Sequence, residues 1–203
     1  MSSDKWWTFA GRAGNPGNLD QNADAVPPGF GRYIACPVEE ISIRLATAND
    51  AEAVRSIYNH EVVHTVATFD LVPRSLLDQQ QWLEARSGAF ATIVAVEHDI
   101  VVGFGSLSPY KERPGYRTSV EDSVYVHQDQ QGRGIGKLIV HELLAVARIS
   151  GFHAVFARIT AASEASRALH TSCGFELVGI EREVGRKFNR WLDVALMEIL
   201  LTD

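Results

Sequence analysis

An α/β (α+β) fold is predicted by three features of the chain. Period-two apolar alternation and apolar spacing of three and four succeed one another from residue 41 to residue 201. One strand signal, residues 119–126, runs through a glycine-rich turn directly into the strongest amphipathic stretch. A length of 203 residues with 46% hydrophobic content suits one domain with a sizeable core.

The elements follow in order. Ile41, Ile43 and Leu45 alternate with polar residues, a strand signal. Asn49 with Glu52 three positions on resembles a capping box, and Ala53, Val54, Ile57, Tyr58, Glu61 and Val62 continue at helical spacing. Pro73 and Ser75 open a second helix running through Trp82 and Leu83 to Arg86. Two strands, 91–96 and 100–107, flank His98-Asp99 as a hairpin. A Pro- and Gly-containing loop covers 108–115, and a strand covers 119–126. The helix at 137–150 turns Leu138, Ile139, Leu143, Leu144 and Ala147 inward. A strand at 153–159, a helix at 163–172 and closing strands at 175–184 and 191–201 complete the series. Its order is β-α-α-β-β-β-α-β-α-β-β, without internal repeats.

Residues 1–40 differ from this pattern. They hold four of the seven prolines (Pro16, Pro27, Pro28, Pro37) and five glycines, so they read as an irregular extension before a domain at 41–203. Trp6, Trp7 and Phe9 within it are expected to dock on the domain or on a second subunit. The net charge of -6 argues against nucleic acid as the main partner. No apolar run nears the ~20 residues that cross a membrane, and no apolar signal region opens the chain. Cys36 and Cys173 form neither a disulfide framework nor a metal pattern, so two free thiols in a cytoplasmic protein are expected. His60, His64, His98, His127, His141 and His153 show no ligand spacing, so no metal is expected. Tyr58, Trp82 and Trp191 are expected in the core.

The glycine-rich turn carries the most chemistry. Gln131, Gly132, Arg133, Gly134, Ile135, Gly136 and Lys137 join a strand end to a helix start. Glycines admit close backbone approach, and the helix start offers open N–H groups and a positive dipole end. Arg133 and Lys137 add charge, so the turn suits a diphosphate. The glycines run G-x-G-x-G, not G-x-G-x-x-G. A Walker loop is excluded because Gln131 stands where its first Gly would, and Leu138 where its Ser or Thr would.

Gln131, Gly134 and Gly136 do match the Q/R-x-x-G-x-G/A loop of GNAT acetyltransferases. Further stretches are similar to the phosphinothricin and methionine sulfoximine/sulfone acetyltransferase branch of that superfamily: Ile57-Tyr-Asn-His60, Thr68-Phe69, Val120-Glu-Asp-Ser-Val-Tyr-Val126, Leu169-His170, Gly174-Phe175 and Gly185-Arg-Lys-Phe-Asn-Arg-Trp-Leu-Asp-Val194. The resemblance spans roughly residues 41–201 and implies a mixed, mostly antiparallel sheet flanked by helices. That sheet is splayed between the strands at 119–126 and 153–159 to admit the pantetheine arm of acetyl-CoA. It also implies Glu121 as general base and His170 as second catalytic group. Cofactor contacts fall on Val124, Tyr125, Val126, the 131–137 turn, Ser163 and Ser166. A strand bulge at 123–126 would aim backbone N–H groups at the thioester oxygen. Ser163 replaces the usual Asn and is expected still to cap its helix. The resemblance further implies a homodimer, with residues 187–191 near the partner's site.

For the acceptor, Lys111, Arg113 and Arg117, interleaved with Tyr110 and Tyr116, precede Glu121. Guanidinium groups match a carboxylate with paired donors. Arg117 is the favoured clamp, with Tyr116 beside it, and Phe69 would pack on the acceptor's aliphatic part. The expected reaction is N-acetylation of a small amino-acid-like amine. The alternatives are a non-catalytic acyl-CoA-binding module and an acetyltransferase acting on a protein N-terminus. A polyamine acceptor ranks low beside so basic a loop.

Overall fold

A computed structural model describes residues 41–201; the expectations for residues 1–40 lie outside the described residues. Seven strands form one sheet in the order β1-β2-β3-β4-β5-β7-β6. They are β1 (Ser42–Leu45), β2 (Ile93–Glu97), β3 (Ile100–Pro109), β4 (Ser119–Val126), β5 (Ala154–Thr160), β6 (Glu176–Lys187) and β7 (Arg190–Leu200). Every neighbouring pair is antiparallel except β4 and β5. The helices are α1 (Ala51–His64), α2 (Leu76–Glu84), α3 (Ile135–Ile149) and α4 (Glu164–Ser172).

Two apolar clusters cover the two faces. On one face, Ile135, Ile139, Leu143 and Ala147 of α3 pack with Val120, Val155 and Met197. Here α3 lies close over β3: a Cβ on Gly105 would come within 2.5 Å of an Ile139 methyl. On the other face, Val54, Ile57, Tyr58 and Val62 of α1 pack on Val94, Phe104 and Tyr125. Side chains alternate along a strand. Glu121 and Tyr125 therefore share the α1 face of β4, while Asp122, Val124 and Val126 face α3 and α4.

The sheet is splayed where expected, between β4 and β5. These strands pair only at Ser119↔Ala154, Val120↔Val155 and Glu121↔Phe156. Beyond that point β5 stays with β7 as far as Thr160↔Val194, and β4 stays with β3 as far as Val126↔Gly103. The β3–β4 register is unbroken, so the expected bulge at 123–126 is not what opens the strand. The gap comes from the end of β4–β5 pairing, and the register shift in this half of the sheet lies in β2–β3, at Ala95/Val96.

Several local expectations are corrected. The first capping box is Thr47 with Asp50, ahead of a short 3-10 turn, not Asn49 with Glu52. Asp50 also takes two hydrogen bonds from Arg44, at 2.7 and 2.8 Å. That pairing commits Asp50 as the junction between β1 and α1. Ser75 caps α2, accepting from the Asp78 N–H at 3.1 Å. Leu138 is exposed, because it sits at the flank of the α3 stripe whose centre is Ile139, Leu143 and Ala147. Trp191 is 61% exposed rather than in the core. It stands at the start of β7 in the edge hairpin, where Arg186 lies over its ring. Tyr58 is buried and Trp82 partly so, as expected.

Candidate active site

Glu121 sits at the last β4–β5 pair, where the two strands part. Burial pushes its carboxyl up to about 7; Arg158 pulls it down, while Asp122 and Glu181 push it up. A carboxyl that titrates near neutrality at a strand opening is suited to take a proton from an amine. Beyond it, from Ser123 to Val126, the β5-facing edge of β4 has no paired strand among the described residues. Backbone N–H groups on that edge are available to an oxygen gaining negative charge.

His170 lies behind β4, on the face opposite Glu121. It is 4% exposed, and both ring nitrogens have partners. Nδ1 is 2.8 Å from the Ser166 carbonyl, and Nε2 is 3.2 Å from the Asp122 carboxylate. A carbonyl only accepts, so Nδ1 is the donor to Ser166, and Nε2 faces the Asp122 carboxylate. Burial draws the imidazole pKa down, but the hydrogen bond and charge of Asp122 outweigh it, and the net direction is up. Asp122 is the hydrogen-bond partner that sequence reasoning missed; the pair is separated by 48 positions and joined only by the fold.

The turn before α3 has the geometry of an anion cradle. Gly132 and Gly134 have φ of 77° and 82°, a left-handed region that favours glycine, and a Cβ at either would meet nothing within 4 Å. Gly134 is the N-cap of α3 and has no side chain with which to cap the helix N–H groups. A helix start without a side-chain cap, beneath glycines that leave room for close approach, fits a diphosphate. Gly136 serves a different contact: a Cβ there would approach Leu169 of α4 to 2.9 Å. Arg133 is ion-paired to Glu97 at 2.6 Å and contacts Gln130, which ties the turn to β2. Gln131 donates to the Val126 carbonyl at 3.4 Å. Ser163 is at the N-cap of α4 but makes no capping hydrogen bond, contrary to expectation, because its backbone has turned to ψ 80°. Ser166 meets His170 through its carbonyl.

The basic loop between β3 and β4 is anchored beside Glu121. Tyr110 stacks on Phe156 at 4.1 Å, Tyr116 meets Tyr110 edge-on, and Lys111 lies over both rings. Lys111, Arg113, Tyr116 and Arg117 are all exposed. A depression of about 470 Å3 is lined by Lys111, Glu112, Arg113 and Tyr116, and includes neither Arg117 nor Glu121. Phe69 packs its ring on the Gly185 backbone, where a Cβ would come within 2.3 Å. Its segment is held by Lys187, buried within its own chain and donating to the Thr68 and Glu61 carbonyls at 2.7 and 3.2 Å. Within 187–191, then, Phe188 and Trp191 face outward and Lys187 does not. Among the described residues no group of His, Cys, Asp and Glu is placed to hold a metal, and no helix is long and apolar enough to cross a membrane.

Residues 43–196 match the family model described as an acetyltransferase (GNAT) domain. The chain is 37% identical to the L-amino acid N-acyltransferase MnaT of Escherichia coli over 80% of its own length and 95% of that protein. It is 38% identical to a phosphinothricin N-acetyltransferase of Streptomyces coelicolor, over 78% of its length and 95% of the relative's. Among solved structures it is similar to yncA of Salmonella typhimurium, solved with acetyl-CoA, at a TM-score of 0.78 and 36% identity, covering 81% of this chain and 96% of that one.

Proposed function

This chain belongs to the GNAT acetyltransferase family, and on that premise we propose that it is an acetyl-CoA-dependent N-acetyltransferase. Its acceptor is the amino group of a small amino-acid-like molecule of the phosphinothricin, methionine sulfoximine or methionine sulfone type. One observation carries the reading: a carboxyl raised to about 7 by burial stands where the two strands part, in line with an open cradle at the start of α3.

Acetyl-CoA, when bound, supplies the acyl group as a thioester. The N–H groups of 131–137 hold the diphosphate, with Lys137 adding charge and Arg133 fixing the turn through Glu97. Val124, Tyr125 and Val126 offer the strand edge to the arm of the cofactor, and Ser163 and Ser166 flank it from α4. Glu121 takes the proton of the attacking amine as the N–C bond forms and the C–S bond breaks. N–H groups of β4 stabilise the carbonyl oxygen as it gains charge. His170, held by Asp122 behind β4, is the second catalytic group of this reading, the proton source for the departing thiolate. Arg117, with Lys111 and Arg113, draws the acceptor's carboxylate, while Tyr116 and Phe69 line its path.

Residues 41–203 form the catalytic domain, and 1–40 are an extension outside the family match, which begins at residue 43. The protein acts in the cytoplasm as a homodimer, consistent with the exposed apolar side chains Phe188 and Trp191 on the edge hairpin.

The test is thiol release from acetyl-CoA with a panel of free amino acids, their amides, and a peptide with a free N-terminus. Free acids should be preferred, and Arg117→Ala should raise KM for them about tenfold, the loss of ~1.4 kcal/mol of a charge-assisted contact. Equal kcat/KM for acid and amide removes the carboxylate clamp, and preference for the peptide favours the protein N-terminus instead.

A further inference from the structure

The face of the sheet that carries Glu121 holds one more charged pair. The parallel register sets Glu121 beside Phe156, so Phe156, Arg158 and Thr160 of β5 share its face. Phe156 is covered by Tyr110 from the β3–β4 loop. Thr160 donates to the Val66 carbonyl from the α1–α2 connection at 2.5 Å. Arg158 stands between these two tethers and remains 32% exposed at its side chain. Glu181 of β6 holds its guanidinium, with Nη1 donating to Oε1 at 3.0 Å and Nη2 lying 2.6 Å from Oε2. Oε2 is buried and has no hydrogen bond of good geometry, so the second contact is one of charge.

Other charged groups lie on the elements around Glu121. Asp122 is its neighbour on the opposite face of β4, and Glu198 of β7 is the register partner of Phe156. Arg86 donates at 3.1 Å to the hydroxyl of Ser108, the β3 register partner of Glu121. Lys111, Arg113 and Arg117 are exposed on the loop, where water screens them. Arg158 is the cation among these that offsets the burial of Glu121, and Glu181 works against it. A guanidinium keeps its charge at every pH at which the protein is folded, so this influence is fixed.

We propose that Arg158, restrained by Glu181, is a positioning residue that sets the charge balance around Glu121. It thereby decides the pH at which that carboxylate can take a proton from the acceptor. The proposal rests on Glu121 as the base. Without Arg158 the buried carboxylate has lost its offsetting cation and is left with Glu181 and Asp122, so it stays protonated to higher pH. Without the charge of Glu181 the cation is unopposed, and Glu121 ionises at lower pH. A pair that only braced β5 to β6 would not move the two variants in opposite directions.

The experiment follows the carboxyl carbon of Glu121 by NMR in the full chain labelled with 13C-glutamate, the signal being assigned by its loss in Glu121→Gln. Arg158→Met should move its titration up, by about one pH unit, and Glu181→Gln should move it down. Arg158→Lys, which keeps the charge, should stay nearer the parent protein than Arg158→Met. The acid limb of the kcat/KM profile should move with the signal in each case. A signal that does not move, or moves the same way in both variants, overturns the proposal. If Arg158→Met fails to fold, Glu181→Gln and Arg158→Lys still decide it. If the signal moves in opposite directions but the acid limb stays put, Glu121 is not the base and the kinetic half falls, while the charge balance stands.

Discussion

At Glu121, desolvation favours the neutral carboxyl, while the base role proposed for it requires the ionised one. Held at about 7, it is half ionised at neutrality. Glu121→Gln should therefore lower kcat by roughly 10²–10⁴-fold, the span of general base catalysis, with partial recovery at high pH where free amine forms unaided. An unchanged rate from pH 6 to 9 would remove Glu121 from the mechanism. The same shift has a stability consequence. The folded state binds the proton more tightly than the unfolded one, whose carboxyl has the ordinary value of 4.5, so stability falls as pH rises from about 4.5 through about 7. Glu121→Gln should be the more stable protein at pH 8, by at most about 3 kcal/mol, and the advantage should vanish at pH 4.5. Thermal melts at the two pH values check this. The position of Glu121 at the head of a strand that runs into the glycine turn was legible, and its proposed role came from the family resemblance. Asp122, Arg158 and Glu181 were not, because their roles depend on partners on other strands or on α4, and local alternation says only which face each takes.

The turn into α3 was the most legible element, since backbone demands select the residue there. Left-handed φ at Gly134 excludes β-branched side chains, and the empty space above its Cα is where a Cβ would intrude. Gly134→Val should weaken coenzyme A binding by tenfold or more, and cost ~1–2 kcal/mol of stability from the backbone alone. Calorimetry of coenzyme A binding separates the two, and unchanged affinity in a folded variant counts against the cradle. Other elements were read with small errors of known cause. Thr47, not Asn49, begins the capping box, because Asp50 already answers Arg44 of β1 and so fixes where the chain bends. Leu138 was placed inward by counting apolar residues in α3, when two residues of a helix that are adjacent in sequence stand about 100° apart.

For the whole molecule, strand order was the part hardest to foresee. Nothing local in β6 or β7 states that β7 inserts between β5 and β6, leaving β6 as an edge. That edge carries Leu177, Val178, Ile180 and Val184, all at least 44% exposed, with Phe188 and Trp191 at its turn. An apolar edge strand left open invites pairing with another chain. Sedimentation should therefore show a dimer at micromolar concentration, and Trp191→Glu with Phe188→Glu should shift it toward monomer. A monomer in the parent protein would refute the assignment.

Because β4 and β5 meet at only three residue pairs, the two halves of the sheet are joined by a short seam, and the ladder beyond it is unfinished. A molecule that lies along the free edge of β4 takes the part of the missing strand. Its binding then becomes a term in folding: by mass action, a ligand present at a hundred times its dissociation constant adds about 2.7 kcal/mol to the folded state. The resistance of this protein to heat and to proteases should thus rise and fall with the acetyl-CoA around it, so that acyl supply governs how much enzyme persists as well as how fast it turns over.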